Sequence, residues 1–339
     1  MFKPSIQLLF GLIILIPSIG SCDFLENLAN TYAPVFKLHP REQYLPSSVD
    51  WYINRVSLQQ NDQDIVSAGN LSAQLMAQWS DQNTKSPSSA PLFLKIPESN
   101  EREIRAGHLQ SAVCYAHPHW VDNGRFIEIN YILFFPFNGQ AFTKLSLINK
   151  AFRHYGVGYH EGDFEHITVR LSQDGSQIIG VYYSAHANED TWVTQNIPFD
   201  QNHRILSYVS LNTHAMYPEA KTITRRVPAP EWIFKLVGKK RVWTPLVDIT
   251  SSEGPELDCQ KQMTYLNPDS PKTPEWLSFN GRWGNKSREK YSSAGPMTFS
   301  LSGWYNQSEN PEQGVFQLLN LGSSNLITEK KGDPQIKIN

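Results

Sequence analysis

The sequence predicts a mainly β protein, an antiparallel β-sandwich of jelly-roll-like layout with a few short helices. Three observations carry that prediction. The 339 residues hold 20 Gly and 22 Pro, punctuation dense enough to interrupt long helices repeatedly. Several short runs rich in β-branched and aromatic residues alternate in polarity or are apolar throughout, as half-buried and fully buried strands do. Helical patterning is weak by comparison. With 40% hydrophobic residues, 9 Trp, 14 Tyr, 17 Phe and only 18% charged residues, the chain can build a packed core and is neither disordered nor a coiled coil.

Residues 1–21 have the layout of an export signal: Lys3, an apolar run over 8–16, then Pro17 and small residues. The run is short for a bilayer span, and no later stretch is apolar enough to be one. The mature chain is therefore expected to be exported: secreted, periplasmic or in the secretory and vacuolar pathway. Ile19-Gly20-Ser21-Cys22 resembles a bacterial lipobox, which would lipidate Cys22 and tether the protein; ordinary cleavage near Gly20 is the other reading. With Cys22 set aside, Cys114 and Cys259 leave two readings open, a disulfide or two free buried thiols.

Residues 22–310 read as one β domain and 311–339 as a C-terminal segment with a frayed end. Residues 32–45 are extended and Pro-interrupted, and 46–51 turn into a short element. Residues 71–79 and 145–155 have the better helical patterning, and the Ser/Pro-rich stretch over 80–91 reads as an exposed loop. Residues 126–135 (FIEINYILFF) suit a central strand; 167–171, 178–183 and 205–211 share the strand bias.

A net charge of −2 provides no broad basic field for tracking a phosphate backbone, so nucleic acid is not an expected partner. Lys239-Lys240-Arg241, flanked by Trp232, Phe234 and Trp243, reads as a solvated turn. No nucleophile elbow, phosphate-cradling glycine loop, His-Glu-x-x-His helix or cysteine doublet pair is present. The chemistry gathers elsewhere: six of the ten histidines fall between His154 and His214. On a strand through Asp163-Phe164-Glu165-His166, the two carboxylates share one face while Phe164 and His166 take the other. A two-residue turn at Asp174-Gly175 then sets Ile167 opposite Tyr182, Glu165 opposite Ser184 and Asp163 opposite His186. A loop one residue longer would send His186 to the other face. His160 lies just before the strand between Gly158 and Gly162, and His214 follows another apolar strand. His160, Asp163, Glu165, His186 and His214 together suit a divalent ion: Mg²⁺, Ca²⁺, Mn²⁺ or Zn²⁺. The alternative is a buried hydrogen-bond network. His117-Pro118-His119 reads as a strand end rather than a ligand pair.

Tyr32-Ala33-Pro34, Leu38-His39-Pro40-Arg41-Glu42-Gln43-Tyr44-Leu45 continuing to Trp51, Tyr131-Ile132-Leu133-Phe134-Phe135-Pro136-Phe137-Asn138-Gly139, Gly162-Asp163-Phe164-Glu165-His166, Tyr183-Ser184-Ala185-His186, Thr213-His214-Ala215-Met216-Tyr217-Pro218 and Gly281-Arg282-Trp283-Gly284 follow in order. This series resembles the vacuolar protein sorting-associated protein 62 family over residues 32 to about 297. The resemblance implies a β-rich domain with a loose link to trafficking, and no settled reaction. Phe164 stands where that family usually has Trp, and Asn212-Thr213-His214 replaces a Gly-Ser-His-like triplet. At motif level, residues 160–165 are similar to the His-Arg-His-Asp-Trp-Glu core of the necrosis-inducing cytolysins, secreted β-sandwiches whose divalent metal helps bind a sphingolipid head group. That similarity implies His160, Asp163 and Glu165 as metal contacts, with Gly162 in place of the second His.

Three functions compete. The first is an exported metal-binding β-sandwich that recognises a polar lipid or sugar head group, including a membrane glycolipid. The second is a metal-dependent hydrolase of phosphoester or related ester bonds, with Glu165 or His166 as general base. The third is a structural or trafficking-related module that binds a protein partner.

Overall fold

The computed structural model describes residues 21–86, 90–144, 146–185, 191–228, 243–267, 270–290 and 292–297. Residues 1–20 of the export segment, the Cys22 side chain, His186, the Lys239-Lys240-Arg241 run and the 311–339 segment lie outside the described residues. No helix among the described residues is long and apolar enough to cross a membrane.

A six-stranded sheet organises the fold. Its neighbours are, in order, Met263–Tyr265, Cys114–Val121, Phe126–Asn138, His160–Ser172, Ile178–Tyr183 and Thr191–Val193. The first pair is parallel and the others antiparallel. Alternation along Phe126–Asn138 explains its apolar sequence: Ile127, Ile129, Tyr131, Leu133 and Phe135 enter one core, while Ile132 and Phe134 enter another. The neighbouring strand behaves likewise, with Ile167, Val169 and Leu171 in the first core and Phe164 in the second.

The first core is closed by a four-stranded sheet of Met216–Tyr217, Leu206–Val209, Val35–Lys37 and Glu256–Asp258, which contributes Phe36, Val209, Met216 and Leu257. The two packed sheets make the sandwich. The second core is closed by the helices Val49–Ile53, Ala73–Lys85 and Glu101–Ala106, by a three-stranded sheet of Gln63–Val66, Ser57–Gln60 and Phe93–Lys95, and by Trp276 and Trp283. Trp283 is fully buried against Phe134, Phe164, Trp276 and Phe279, at ring distances of 5.0 to 5.7 Å. Truncating a ring so enclosed costs about 3–5 kcal/mol. A two-stranded ribbon, Thr222–Pro228 with Trp243–Ile249, carries Asp248.

Cys114 and Cys259 are joined, with Cα atoms 5.3 Å apart, tying the six-stranded sheet to the end of the Glu256–Asp258 strand. Closing a loop across 145 residues removes denatured-state entropy worth about 5 kcal/mol in the loop-closure picture.

Three departures from the sequence expectation matter. The helix that begins near residue 71 starts at Ala73, capped by the Ser72 hydroxyl on the Leu75 N–H, and continues to Lys85. The first half of the expected 80–91 loop is therefore helical. The short helices Ser21–Thr31, Val49–Ile53 and Glu101–Ala106 carry little local signal, and packing sustains them. The hairpin register also differs. Near its turn, the Ser172 N–H donates to the Gln177 carbonyl, and Gly175 takes φ +72°. Ile179 is then inserted as a bulge, between the Leu171–Ile178 and Arg170–Gly180 pairs. Beyond it Thr168 faces Tyr182 and Ile167 faces Tyr183, one residue later than a two-residue turn alone implies. The extra residue shifts the pairing beyond the bulge by one position from that expected, while His186 itself lies outside the described residues.

Candidate functional site

The site grows from the entry end of the His160–Ser172 strand. Phe135 pairs with Asp163 across the central strands. His214 arrives from the other sheet, on the loop between Leu206–Val209 and Met216–Tyr217. That loop is tight: Ser210 N–H donates to the Ala215 carbonyl and His214 N–H to the Ser210 carbonyl. It places Asn212 (φ +67°) and His214 (φ +55°) in the left-handed region, a conformation that is strained for a histidine. Thr213 and Tyr217 hydroxyls donate to the two oxygens of Asp248, at 3.0 and 2.7 Å, anchoring the loop to the ribbon.

The His214 ring lies flat on Phe135, 3.8 Å between centroids and 6° between planes. Its Nδ1 is 3.0 Å from Asp163 Oδ2, and its Nε2 is 3.9 Å from Glu42 Oε1. Glu42 is itself held by backbone: Oε1 accepts the N–H groups of Gln43 and Tyr44, both at 2.9 Å, and Oε2 accepts that of Asn212 at 2.6 Å. Burial alone would discharge His214, but the Asp163 and Glu42 carboxylates outweigh it and push its pKa up to about 9. For Glu42, burial opposes ionisation too, yet His214 and the N–H groups of Asn212 and Tyr44 keep its pKa below the ordinary value. The result is a buried imidazolium between two carboxylates. Its Nε2 has no hydrogen-bond partner within bonding distance.

A cleft of about 500 Å³ shares Gln43, Tyr44 and Asn212 with this network, a volume within the range of small-molecule sites. Tyr44, Tyr159 and Phe142 supply its aromatic surface, Leu211 and Ile249 its aliphatic surface. Arg41 and Arg153 line it as cations, and Gln140 and Asn149 as amides. Burial first of all raises the pKa of Tyr44, to about 12, and also that of Tyr159, so both phenols stay protonated. Gly139 lets the central strand end pass beneath this wall: a Cβ there would lie 2.5 Å from the Tyr44 ring and 2.9 Å from Asn212 Cβ. Asn149 is fully used, bonding both the N–H and the carbonyl of Thr143. Gln140 is not. Arg153 Nε donates to its Oε1 at 2.9 Å, while its Nε2, on a side chain only 2% exposed, has no partner.

The other sequence candidates are placed as follows. His160 is the first residue of its strand, and its Nδ1 is 2.8 Å from the Gly162 carbonyl. Gly162 takes φ +66°, and a Cβ there would meet the Trp283 carbonyl at 2.5 Å. Glu165 Oε2 accepts the Ser184 hydroxyl at 3.1 Å. His166 is on the opposite side of the sheet, beside Tyr182, with neither ring nitrogen hydrogen-bonded; burial pushes its pKa down to about 3. It does not face Asp163. His117 and His119 stack on each other at 4.6 Å, near Glu128 and Arg170.

His186 lies outside the described residues, and of the four other expected metal ligands the structure brings together Asp163 and His214. They meet as an ion pair, and an imidazolium has no lone pair to give a metal. Among the described residues no group of three or more His, Cys, Asp or Glu is arranged to hold a metal ion. Among the described residues the expected donors are not assembled into a metal centre. Sequence reasoning missed Glu42, Gln140 and Arg153 as site residues. Glu42 lies in the Leu38–Leu45 run that carries the family resemblance, whereas Gln140 and Arg153 lie outside the runs that carry it.

Comparison with known proteins completes the description. The vacuolar protein sorting-associated protein 62 family model matches residues 5–295. No curated protein matches the chain. Similar solved structures include NLPPya in complex with glucosamine (10% identity, TM-score 0.35, 80% of this chain and 84% of that one). Another is described as a toxin fold for microbial attack and plant defence (11%, TM-score 0.37, 82% and 85%). A third is Necrosis and Ethylene inducing Protein 2 from the causal agent of cocoa's Witches Broom disease (12%, TM-score 0.34, 75% and 79%). The family match spans most of the sequence, and the chain belongs to the vacuolar protein sorting-associated protein 62 family.

Proposed function

We propose that this protein binds a polar head group of carbohydrate type in the cleft between the Arg41–Tyr44 segment and the Ser146–Tyr155 helix, without turning it over. One observation carries the reading: Gln140 is part of the cleft wall, and its Nε2, buried beneath the accessible surface, has no hydrogen-bond partner. A buried donor left unmet costs about 1–3 kcal/mol, which a ligand oxygen would recover. Around it the chemistry suits a sugar, with aromatic faces from Tyr44, Tyr159 and Phe142 for the ring and amide and guanidinium groups for the hydroxyls. The buried Asp163–His214–Glu42 network fixes the loop that contributes Asn212, so the site is built on rigid strand ends. An exported chain displaying such a cleft would meet free glycans or the head groups of membrane glycolipids. Saturation-transfer NMR and calorimetry with a monosaccharide panel test this. Gln140→Leu is expected to weaken binding about tenfold or more while leaving the thermal midpoint within a few degrees. Equal affinity in wild type and variant would remove the basis of the reading.

A further inference from the structure

We propose that the ligand of this cleft is an anionic carbohydrate, a sugar that bears a carboxylate or a phosphate, held between Arg41 and Arg153. The inference rests on the head-group reading above and adds the charge of the ligand. Two guanidinium groups line the cleft, and no carboxylate lines it. The acid of the adjoining network, Glu42, turns inward: three backbone N–H groups occupy its oxygens, and its charge faces His214; Glu289, which acts on Tyr159, is 3.7 Å from Arg105. Several arginines elsewhere each meet a carboxylate. Arg105 meets Glu101, Arg125 meets Asp122, Arg170 meets Glu128 and Arg204 meets Asp258. Arg41 and Arg153 form no such pair among the described residues.

The third donor is set by the second. Arg153 Nε can only donate, so the Gln140 amide must turn its oxygen toward it at 2.9 Å, which fixes Nε2 as the remaining group. Gln140 is 2% exposed, and Nε2 has no partner. The bond also leaves the two terminal nitrogens of Arg153 for a ligand. Two guanidinium groups, with no carboxylate in the cleft lining, complement a planar carboxylate or a phosphoryl group, and the buried Gln140 amide N–H in the wall adds a donor without a partner. The adjoining Tyr44 and Tyr159 rings leave room for the sugar to which that group is attached.

Calorimetry on the mature chain tests this with glucose, galactose and mannose, their uronic acids and their 6-phosphates, and with inorganic phosphate alone. The expected result is at least tenfold tighter binding of one or both charged series than of the neutral sugars. That preference should shrink severalfold as salt is raised, and should be lost in the Arg41→Gln/Arg153→Gln double variant. Whether uronic acids or phosphates lead tells the two sources of charge apart. Equal affinity for neutral and charged sugars would overturn the proposal and leave the head-group reading standing. Binding of inorganic phosphate as tightly as the sugar phosphates would also overturn it, because the sugar would then contribute nothing. No binding of any sugar by the folded wild-type protein would overturn both.

Discussion

The two faces of the His160–Ser172 strand carry buried histidines of opposite character. On the face toward the four-stranded sheet, His214 is wholly buried and charged; on the other, His166 is equally buried and neutral. Burial penalises the cation in both places. What differs is the company: Asp163 and Glu42 flank His214 at 3.0 and 3.9 Å, whereas no hydrogen-bonding group meets His166. The same rule holds in the polar patch around Glu128, whose pKa burial pushes up to about 7 against the opposing pull of Arg170. Depth in this sandwich sets the size of the electrostatic penalty, and a segment from elsewhere in the chain decides whether it is met.

The largest expected effect follows from removing the cation. His214→Leu leaves Asp163 and Glu42 buried and uncompensated, and should lower stability by about 3–5 kcal/mol in urea unfolding. His166→Leu removes a group with no hydrogen bond and should be close to neutral. Comparable losses in both variants would break the comparison.

Stability against pH comes next. Burial pushes the pKa values of His117, His119 and His166 down to about 4, 3 and 3, against about 6.5 in an unfolded chain. Below pH 6.5 the unfolded chain takes up protons that the fold refuses, so their contribution is lost as pH falls from 6.5 toward 4. Glu128 and Glu161, both raised to about 7 by burial, oppose them between the unfolded value near 4.5 and 7. The three histidines outnumber the two carboxylates, and each net proton is worth up to about 1.4 kcal/mol per pH unit. His214 has the reverse sign: its contribution is complete below pH 6.5 and fades as pH rises through about 9. Thermal melts from pH 4 to 10 should show both limbs, with His166→Leu flattening the acid one and His214→Leu the alkaline one.

The smallest expected effect concerns metal. With Asp163 engaged by His214, sugar affinity should be unchanged after EDTA treatment. A loss restored by Mg²⁺, Ca²⁺, Mn²⁺ or Zn²⁺ would show that the pair opens to admit an ion.

What local pattern determines was legible in the sequence. The strand bias of 126–135 and 178–183, and the division of residues 163–166 between two faces, follow from alternation alone. The helices near 73 and 146 follow from spacing and a cap. The site was legible only in half, because its other half is long-range. Glu42 reaches His214 from 172 positions earlier, through a loop with no strand or helix signal. Gln140 and Arg153 acquire a role only when the Ser146–Tyr155 helix lies beside the strand end. The bulge at Ile179 had one marker, Gly180 inside the strand run, and its one extra residue shifts the pairing of every residue from Gly180 to Tyr183.

The account stands most directly on where a sugar sits. A crystal of the mature protein soaked with its best-binding monosaccharide should show the ring against the Tyr44 and Tyr159 side chains, with Gln140 Nε2 donating to a ligand oxygen. A sugar bound elsewhere on the molecule, with Gln140 Nε2 still unpartnered, would contradict it.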